Sequence, residues 1–315
     1  MAEIATRIAY GLELAKIGDR YPDIVVLDAD ISKSTNTFHF TKKFPERSFN
    51  FGVAEQNMTA AAAGLATMGK IPLVNTYAVF ASMRACEQIR TFICYPNLNV
   101  KIVVSHGGLA VGSDGPTHQG TEDIGVMRCM PNMTVVSPAD GPATCKLLPQ
   151  IIEHVGPVYF RLGRNPTPIV YNEAEDFKLG KAKLVRDGRD VTIIATGIMV
   201  SECLKALEIL ASKGISARLI DMHTIKPIDH EAIVTAAEET GAIVTAEDHN
   251  IIGGLGSAVA EVVCESKLVP VERIGLRDVF GESGEPMALF EKYFMSAKYI
   301  AEAAERAISR KEYRK

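Results

Sequence analysis

The sequence predicts an α/β protein made of two doubly wound domains with mainly parallel sheets. Short runs rich in β-branched residues alternate with longer amphipathic stretches, an order typical of parallel strands covered by helices on both faces. A stretch rich in proline, asparagine and acidic residues interrupts this order at 165–183, and the order then resumes. We therefore expect a first domain at 1–165, a linker at 166–189 and a second domain at 190–315.

The first domain opens with a predicted helix at 1–20, in which apolar residues recur at helical spacing. A polar turn is predicted at 28–36, directly after the first strand, and a helix of small residues at 59–68. The strands predicted for this domain are Ile24–Leu27, Ile71–Asn75, Val100–Ser105, Thr134–Ser137 and Val158–Arg161. Strands separated in this way by helical stretches are enough for one doubly wound sheet.

The second domain repeats the alternation. Its predicted strands are Val191–Thr196, Ala217–Asp221, Ala242–Ala246 and Val269–Ile274, and its predicted helices are Glu202–Lys213, His230–Thr240 and Leu255–Lys267. The glycine-rich segment 253–256 follows one of these strands, as a phosphate-binding loop would, but its match to a dinucleotide-binding fingerprint is incomplete. We interpret this segment as a tight strand-to-helix turn.

Composition excludes several classes of function. Of the 315 residues, 47% are apolar and 23% are charged, as in ordinary globular proteins. The net charge of −4 gives no basic footprint for nucleic acid. No apolar run approaches the roughly 18 residues that a membrane helix needs, and the N-terminus shows no signal-peptide pattern. We expect neither a nucleic-acid nor a membrane partner, and a cytoplasmic location.

The cysteines are scattered and form no C-x-x-C pair. They are Cys86, Cys94, Cys129, Cys145, Cys203 and Cys264. This spacing predicts neither a metal site nor a disulfide framework. We expect all six to be small buried residues in a reducing compartment.

A short turn-forming segment carries the most informative chemistry. Asp114 and His118 belong to the run D-G-P-T-H-Q, whose glycine and proline favour a tight turn over a helix. His106 precedes this run, at the end of an apolar stretch. Such a turn can direct these side chains into one cavity. A surface turn with incidental polar residues is the plainer interpretation of any one of them.

Two further segments precede this turn: F-G-V-A-E-Q-N-M, which contains Glu55, and T-Y-A-V-F, which contains Tyr77 and Phe80. Together the three segments resemble the pyrimidine-binding domain of thiamine-diphosphate enzymes, and specifically the transketolase family. The family pattern is a G-x-x-E-[HQ]-x-M element, a T-[FY]-x-x-F element and an H-x(7)-D-G-P-T-H element, in this order across 51–119. A weaker resemblance, to a transketolase C-terminal domain, continues through the second domain.

The resemblance implies a cofactor role for four side chains. Glu55 matches the catalytic glutamate that hydrogen-bonds the aminopyrimidine ring of thiamine diphosphate in a poorly solvated pocket. Tyr77 and Phe80 match the wall against that ring. Met83 lies where many transketolases have a third aromatic residue, and its thioether can also pack on rings. The plainer interpretations are a glutamate that stabilises a helix N-terminus and three core residues.

The resemblance also implies a sugar-binding side. His106 and His118 match catalytic histidines that hydrogen-bond donor hydroxyl groups and relay protons. Asp114 matches a residue that recognises a sugar hydroxyl. The residues that match phosphate contacts of the substrate are Arg164, Arg7 and Ser34. His223 and His249 have no predicted role.

One part of a complete transketolase pattern is missing. In the family, an additional N-terminal domain binds the diphosphate and Mg²⁺ through a G-D-G element and a later asparagine, and no G-D-G occurs in this sequence. The resemblance therefore implies half an enzyme. The ligands for Mg²⁺, which prefers hard oxygen donors, would lie on a separate N-terminal subunit in an α2β2 assembly with a homodimeric core.

We therefore expect the C-terminal subunit of a split transketolase, which moves a two-carbon ketol unit from a ketose phosphate to an aldose phosphate.

Deoxyxylulose-phosphate synthase shares the D-G-P-T-H-Q-G run, but it normally lacks a histidine at the place of His106 and is one long chain. The β subunit of a 2-oxo acid dehydrogenase has the same two domains without that run. The joint presence of Glu55, His106, Asp114 and His118 argues against a degenerate regulatory subunit. The sugar stays open, since transketolases of sulfo- or branched sugars share these motifs.

Overall fold

In the computed structural model, which describes residues 3–312, two α/β domains follow one another along the chain. Each domain is built around one sheet, and a two-stranded ribbon ties the start of the chain to the segment between the domains. The predicted fold class, two α/β domains with mainly parallel sheets, is confirmed.

The described residues form fourteen β-strands and twelve α-helices. The strands are β1 (Glu3–Ile4), β2 (Ile24–Asp28), β3 (Ser48–Asn50), β4 (Ile71–Tyr77), β5 (Lys101–Ser105), β6 (Thr134–Val136), β7 (Val158–Arg161), β8 (Thr167–Pro168), β9 (Lys183–Arg186), β10 (Val191–Ala195), β11 (Ala217–Asp221), β12 (Thr224–Lys226), β13 (Ile243–Asn250) and β14 (Val271–Leu276). The α-helices are α1 (Thr6–Ile17), α2 (Ser32–Thr35), α3 (Phe38–Lys43), α4 (Glu55–Thr67), α5 (Cys86–Gln88), α6 (Asp123–Arg128), α7 (Gly141–Glu153), α8 (Met199–Ser212), α9 (His230–Thr240), α10 (Leu255–Glu265), α11 (Pro286–Lys292) and α12 (Ala297–Glu312). Two π-helical segments, Phe80–Arg84 and Ile89–Cys94, flank α5. Three 3-10 turns occur at Gly18–Arg20, Pro45–Arg47 and Leu109–Asp114. None of the helices within 3–312 combines the length and apolarity needed to cross a bilayer.

The first sheet has seven strands in the order β12-β6-β7-β5-β4-β2-β3. All neighbours run parallel except β12, which is antiparallel to β6. Helix α4 and the π-helical segments cover one face, whereas α1, α3 and α7 cover the other. The carboxyl ends of the parallel strands therefore meet at one edge, which is where ligands bind in open α/β sheets.

The second sheet has five strands in the order β14-β13-β10-β11-β9, and only β9 runs antiparallel to its neighbour among the described pairings. Helices α8 and α12 cover one face, and α9 and α10 cover the other. Strand β12 follows β11 in sequence but joins the first sheet. The two domains therefore share backbone hydrogen bonds as well as side-chain contacts.

Most predicted elements are present, and the differences have local causes. The first helix, α1, is shorter than the predicted 1–20 because a 3-10 turn follows it, and positions 1 and 2 lie outside the described residues. The predicted polar turn at 28–36 contains α2. Its shape is fixed by the buried Asp28 carboxylate, which accepts hydrogen bonds from the Ile31 N–H at 2.6 Å and from two threonine hydroxyl groups. Strand β3 has only three residues and was not predicted.

The segment predicted as a linker, 166–189, contains two strands. Strand β8 pairs antiparallel with β1, and β9 forms the antiparallel edge of the second sheet. The proline content of β8 concealed it, because proline lacks an N–H and is found only at sheet edges and bulges. The segment is therefore held at both ends rather than being free of regular structure.

The cysteines do not share one environment, although all six are free thiols. Two are buried (Cys94 and Cys203), two are half-buried (Cys86 and Cys145), and two are exposed (Cys129 and Cys264). The prediction of burial is wrong for the exposed pair, because Cys129 directly follows α6 and Cys264 lies in the last turn of α10, where both helices face solvent.

The glycine-rich segment 253–256 is a strand-to-helix turn, as predicted. The buried Glu247 carboxylate accepts hydrogen bonds from the Leu255 N–H at 2.7 Å and from the Gly256 N–H at 2.8 Å. This carboxylate fills the N-terminus of α10, the position that a phosphate would occupy in a phosphate-binding loop.

Candidate active site

A loop from His106 to Gly120 leaves the carboxyl end of β5 and returns to it. Gly107 pairs with Gly120, and the Gly108 N–H donates to the Gly120 carbonyl at 2.6 Å. His106 has a φ of 62°, a left-handed conformation that residues other than glycine rarely adopt and that is enriched at functional sites. Because the neck of the loop is closed, the D-G-P-T-H turn comes back beside His106.

Asp114 lies between a histidine and an arginine. Its Oδ2 is 3.6 Å from Nε2 of His106, and its Oδ1 is 3.1 Å from Nη2 of Arg164. His118 lies four residues further along, with its Nδ1 2.9 Å from the Thr117 hydroxyl. The structure therefore brings together all three residues of the turn motif and adds Arg164 to them.

An aromatic cluster stands beside this loop. The Tyr77 ring lies 3.8 Å from the His106 imidazole, and the Phe80 ring lies 5.5 Å from the rings of both Tyr77 and His118, measured between centroids. Ring faces and edges in this arrangement can enclose a flat heterocycle. Met83 exposes 50% of its surface, so it is not a core residue, and its role in a ring wall stays a prediction.

Arg7 extends the site toward α2. Its Nε donates to the Arg164 carbonyl at 2.8 Å, and its Nη1 donates to the Ser34 carbonyl at 2.6 Å. Burial and the nearby positive charge of Arg164 both lower the pKa of Arg7. Two guanidinium groups held close together repel each other, and an anion placed between them would relieve that repulsion. The three residues predicted to contact phosphate are therefore neighbours.

Glu55 begins α4 and is 2% exposed. Both of its carboxylate oxygens accept hydrogen bonds from Nη1 of Arg84, at 2.8 and 2.9 Å. The Arg84 guanidinium also lies over the Phe80 ring, 4.2 Å from the centroid. Glu55 is thereby connected to the aromatic cluster. The sequence analysis missed Arg84, although it is the first charged residue after Lys70 and could have been noticed for that reason.

The electrostatic environment separates the two histidines of the site. Burial, followed by the positive charges of Arg7, Arg164 and His118, lowers the pKa of His106 to about 3. His106 is therefore a neutral ring at neutral pH, suited to hydrogen bonding with hydroxyl groups. Its 3.6 Å approach to Asp114 is not an ion pair in that state. His118 is less buried than His106.

A buried polar network holds the loop against both domains. Arg161 donates from Nε to the Asp123 carboxylate at 2.8 Å, and from Nη2 to the carbonyls of Gly120 and Asp248, each at 2.9 Å. Burial alone would raise the pKa of Asp123, but the Arg161 charge outweighs it and the pKa is lowered. Asp248 comes from β13 of the second domain. The network therefore spans the boundary between the domains.

The Asp248 carboxylate reaches directly into the loop. It accepts hydrogen bonds from the Leu109 N–H at 2.7 Å and from the Ala110 N–H at 3.1 Å. A side chain at Gly108 would meet this carboxylate, since a Cβ there would lie 2.1 Å from Oδ2 of Asp248. Sequence reasoning missed these contacts. The one available signal was the charged run Glu247-Asp248-His249 at the end of an apolar strand.

The second-domain histidines lie outside this arrangement. His249 is fully buried, and its Nε2 accepts a hydrogen bond from the Gly125 N–H at 3.3 Å. The buried His223 lies with its Nδ1 3.0 Å from the Thr224 hydroxyl. Neither histidine contacts the residues of the candidate site through these hydrogen bonds.

The residues present fit the aminopyrimidine end of thiamine diphosphate, because a buried carboxylate stands beside two aromatic rings. They do not fit its other end. Within 3–312, no three or more His, Cys, Asp or Glu side chains are grouped so that they could hold a metal ion. A surface groove of about 640 Å³ lies between α1 and α7 and is lined by none of the predicted site residues.

The lowered pKa of His106 predicts a loss of stability in acid. The pKa is about 3 in the folded protein and about 6.5 in an unfolded chain. The unfolded state therefore binds the extra proton first as the pH falls below about 6.5. On account of this residue, the free energy of unfolding should be about 2 kcal/mol lower at pH 5 than at pH 7. His106→Gln should lose this part of the pH dependence in urea unfolding, and an identical pH dependence in both proteins would contradict the assignment.

Comparison with known proteins covers both domains. The family description "Transketolase, pyrimidine binding domain" matches residues 2–169, and "Transketolase, C-terminal domain" matches residues 180–300. A protein of Methanocaldococcus jannaschii named as a transketolase C-terminal section is 51% identical over 298 residues, which cover 94% of this chain and 93% of that protein. The 6-deoxy-6-sulfo-D-fructose transketolase subunit SqwH of Clostridium sp. is 47% identical over 303 residues, which cover 96% and 93%.

A solved structure extends the likeness to three dimensions. A split-gene transketolase, described as an inactive β4 tetramer, matches with a TM-score of 0.91 at 49% identity, over 98% of this chain and 100% of that one. The chain therefore belongs to the transketolase family, with the pyrimidine-binding and C-terminal domains of that family and with split-transketolase subunits among its relatives.

Proposed function

We propose that this chain is the C-terminal subunit of a split transketolase that moves a two-carbon ketol unit from a ketose phosphate to an aldose phosphate. One observation carries the proposal. The buried Glu55, the aromatic cluster and the sugar-side group of His106, Asp114 and Arg164 form one continuous set of contacts at the carboxyl edge of the first sheet. The names of the relatives, a C-terminal section and a subunit, agree with it.

The ring side of the site would hold the cofactor. Thiamine diphosphate, when bound, supplies the electron sink for breaking and forming a carbon–carbon bond. Glu55 would hydrogen-bond the aminopyrimidine ring from a position that excludes water. Tyr77 and Phe80 would stack against that ring and fix its orientation, with Met83 at the outer edge.

The sugar side of the site would orient the substrate. The neutral His106 would hydrogen-bond a hydroxyl beside the reacting carbon, and Asp114 would accept from a second hydroxyl. His118 would take up and return protons. Arg164 and Arg7, with Ser34 at the edge, would bind the terminal phosphate.

The remaining part of the site would come from a partner. Mg²⁺ needs several hard oxygen ligands together with the diphosphate, and the described residues offer no such group. We infer a separate N-terminal subunit that supplies it, in a cytoplasmic α2β2 assembly. The β4 state belongs to the solved relative, and its printed description calls that state inactive.

Deoxyxylulose-phosphate synthase activity is the second candidate. The position of His106 supports transketolase over this candidate, because the ring lies directly on Tyr77 and faces Asp114. An enzyme that transfers from pyruvate does not need this contact to a donor hydroxyl.

Reconstitution tests the proposed function. The purified chain with thiamine diphosphate and Mg²⁺ should show no ketol transfer from xylulose 5-phosphate to ribose 5-phosphate, and addition of the native N-terminal partner should restore turnover. Pyruvate with glyceraldehyde 3-phosphate serves as the parallel assay for the synthase. Robust transfer by the chain alone, shown free of partner by mass spectrometry, would refute the split-enzyme proposal.

Arg164→Ala should lower kcat/KM for phosphorylated donors far more than for non-phosphorylated donors. Loss of a charge-assisted hydrogen bond costs about 1.5–3 kcal/mol, which is about 10- to 150-fold in kcat/KM for a sugar phosphate. Hydroxypyruvate, which carries no phosphate, should be affected little. Arg189→Ala is the matched control, because Arg189 is 85% exposed and lies between β9 and β10, two strands of the second sheet. Equal losses with both donors, at an unchanged melting temperature, would show that Arg164 is not a phosphate ligand.

A further inference from the structure

Arg84 makes two contacts that belong to the cofactor ring in the proposed function. Its Nη1 donates to both oxygens of the buried Glu55 carboxylate, at 2.8 and 2.9 Å. Its guanidinium stacks on Phe80, 4.2 Å from the ring centroid. An aminopyrimidine ring bound by Glu55 and Phe80 would need the same carboxylate oxygens and the same ring face.

We propose that Arg84 is a self-ligand, which occupies the aminopyrimidine position until the cofactor ring displaces it. A guanidinium suits this place because it is planar, stacks on aromatic faces and presents N–H groups to a carboxylate. The inference rests on the proposed function and adds a residue that must leave before Glu55 can bind the ring.

The burial of Glu55 explains why the contact forms. Glu55 is 2% exposed, and a buried carboxylate without a partner is strongly unfavourable. Arg84 supplies the compensating positive charge in the absence of cofactor.

The exposure of Arg84 explains how it can leave. The side chain is 44% exposed, and within the described residues its hydrogen bonds use Nη1 alone. Arg161 is the contrasting case, with 6% exposure and bonds from two nitrogens to a carboxylate and two carbonyls. Of these two arginine–carboxylate pairs, Arg161–Asp123 is therefore the fixed one and Arg84–Glu55 the exchangeable one.

The backbone conformation around Arg84 favours the contacts of its side chain with Phe80 and Glu55. Phe80–Arg84 is a π-helical turn, closed by the Ala85 N–H donating to the Phe80 carbonyl at 3.1 Å. Such wide turns are rare and occur frequently at functional sites. The turn places the arginine over the ring that begins it, with the guanidinium directed at Glu55.

Cofactor affinity tests the inference. The measurement uses the complex with the native partner at a fixed concentration of Mg²⁺. The Kd for thiamine diphosphate should be about three- to tenfold lower for Arg84→Met than for wild type. This difference is expected if Arg84 is bound to Glu55 in most of the cofactor-free complexes. Arg84→Lys, which keeps the charge but not the planar group, should fall between them. Arg90→Met is the matched control, because Arg90 is an exposed arginine in the next π-helical segment, and this variant should bind like wild type.

A second readout follows the side chain itself. In ¹⁵N-labelled complex, the guanidinium signals of Arg84, assigned by their loss in Arg84→Met, should shift when thiamine diphosphate is added and remain unshifted when Mg²⁺ and diphosphate are added without the ring.

The outcomes separate the two proposals. Equal or weaker cofactor binding by Arg84→Met and Arg84→Lys, with wild type binding normally, overturns the self-ligand and leaves the proposed function intact. Failure of the wild-type complex to bind thiamine diphosphate overturns both.

Discussion

The guanidinium of Arg161 joins the His106–Gly120 loop, the first sheet and the second domain in one buried contact. It pairs with Asp123 on α6 and donates to the carbonyls of Gly120, at the neck of the loop, and of Asp248, at the end of β13. Breaking a buried pair of this kind leaves an uncompensated charge, at a cost of about 3–5 kcal/mol. The positions of His106 and His118 depend on this contact, because both lie on the loop whose neck it closes.

The second domain stabilises the His106–Gly120 loop through Asp248, which belongs to the same hydrogen-bond network as Arg161. Its Asp248 carboxylate binds two N–H groups at the start of the 3-10 turn that leads to Asp114. Burial raises the pKa of Asp248 to about 6, so the carboxylate is ionised and a strong acceptor at neutral pH. The first domain supplies the side chains of the candidate site, whereas the second fixes the loop that carries three of them.

The sequence predicts those elements and motifs whose residues are close together along the chain. The strand alternation, the aromatic pair Tyr77 and Phe80, and the turn with Asp114 and His118 are all local, and the structure places them at one edge of a sheet. Arg84 and Asp248 were missed because their partners are distant in sequence: Glu55 is 29 residues from Arg84, and Leu109 is 139 residues from Asp248. Pairings of that range are set by tertiary packing, which a single sequence does not display.

Glu55 is proposed to act on the aminopyrimidine ring, and the exchange rate of the C2 proton of bound thiamine diphosphate measures this action directly. The comparison is between wild type and Glu55→Gln, each assembled with the native partner and saturated with cofactor. An amide keeps the shape but cannot share a proton with the ring in the same way, so exchange should slow by about 10²–10⁴-fold. An unchanged exchange rate in the fully loaded variant would contradict the role assigned to Glu55 and the assignment of the ring side of the site.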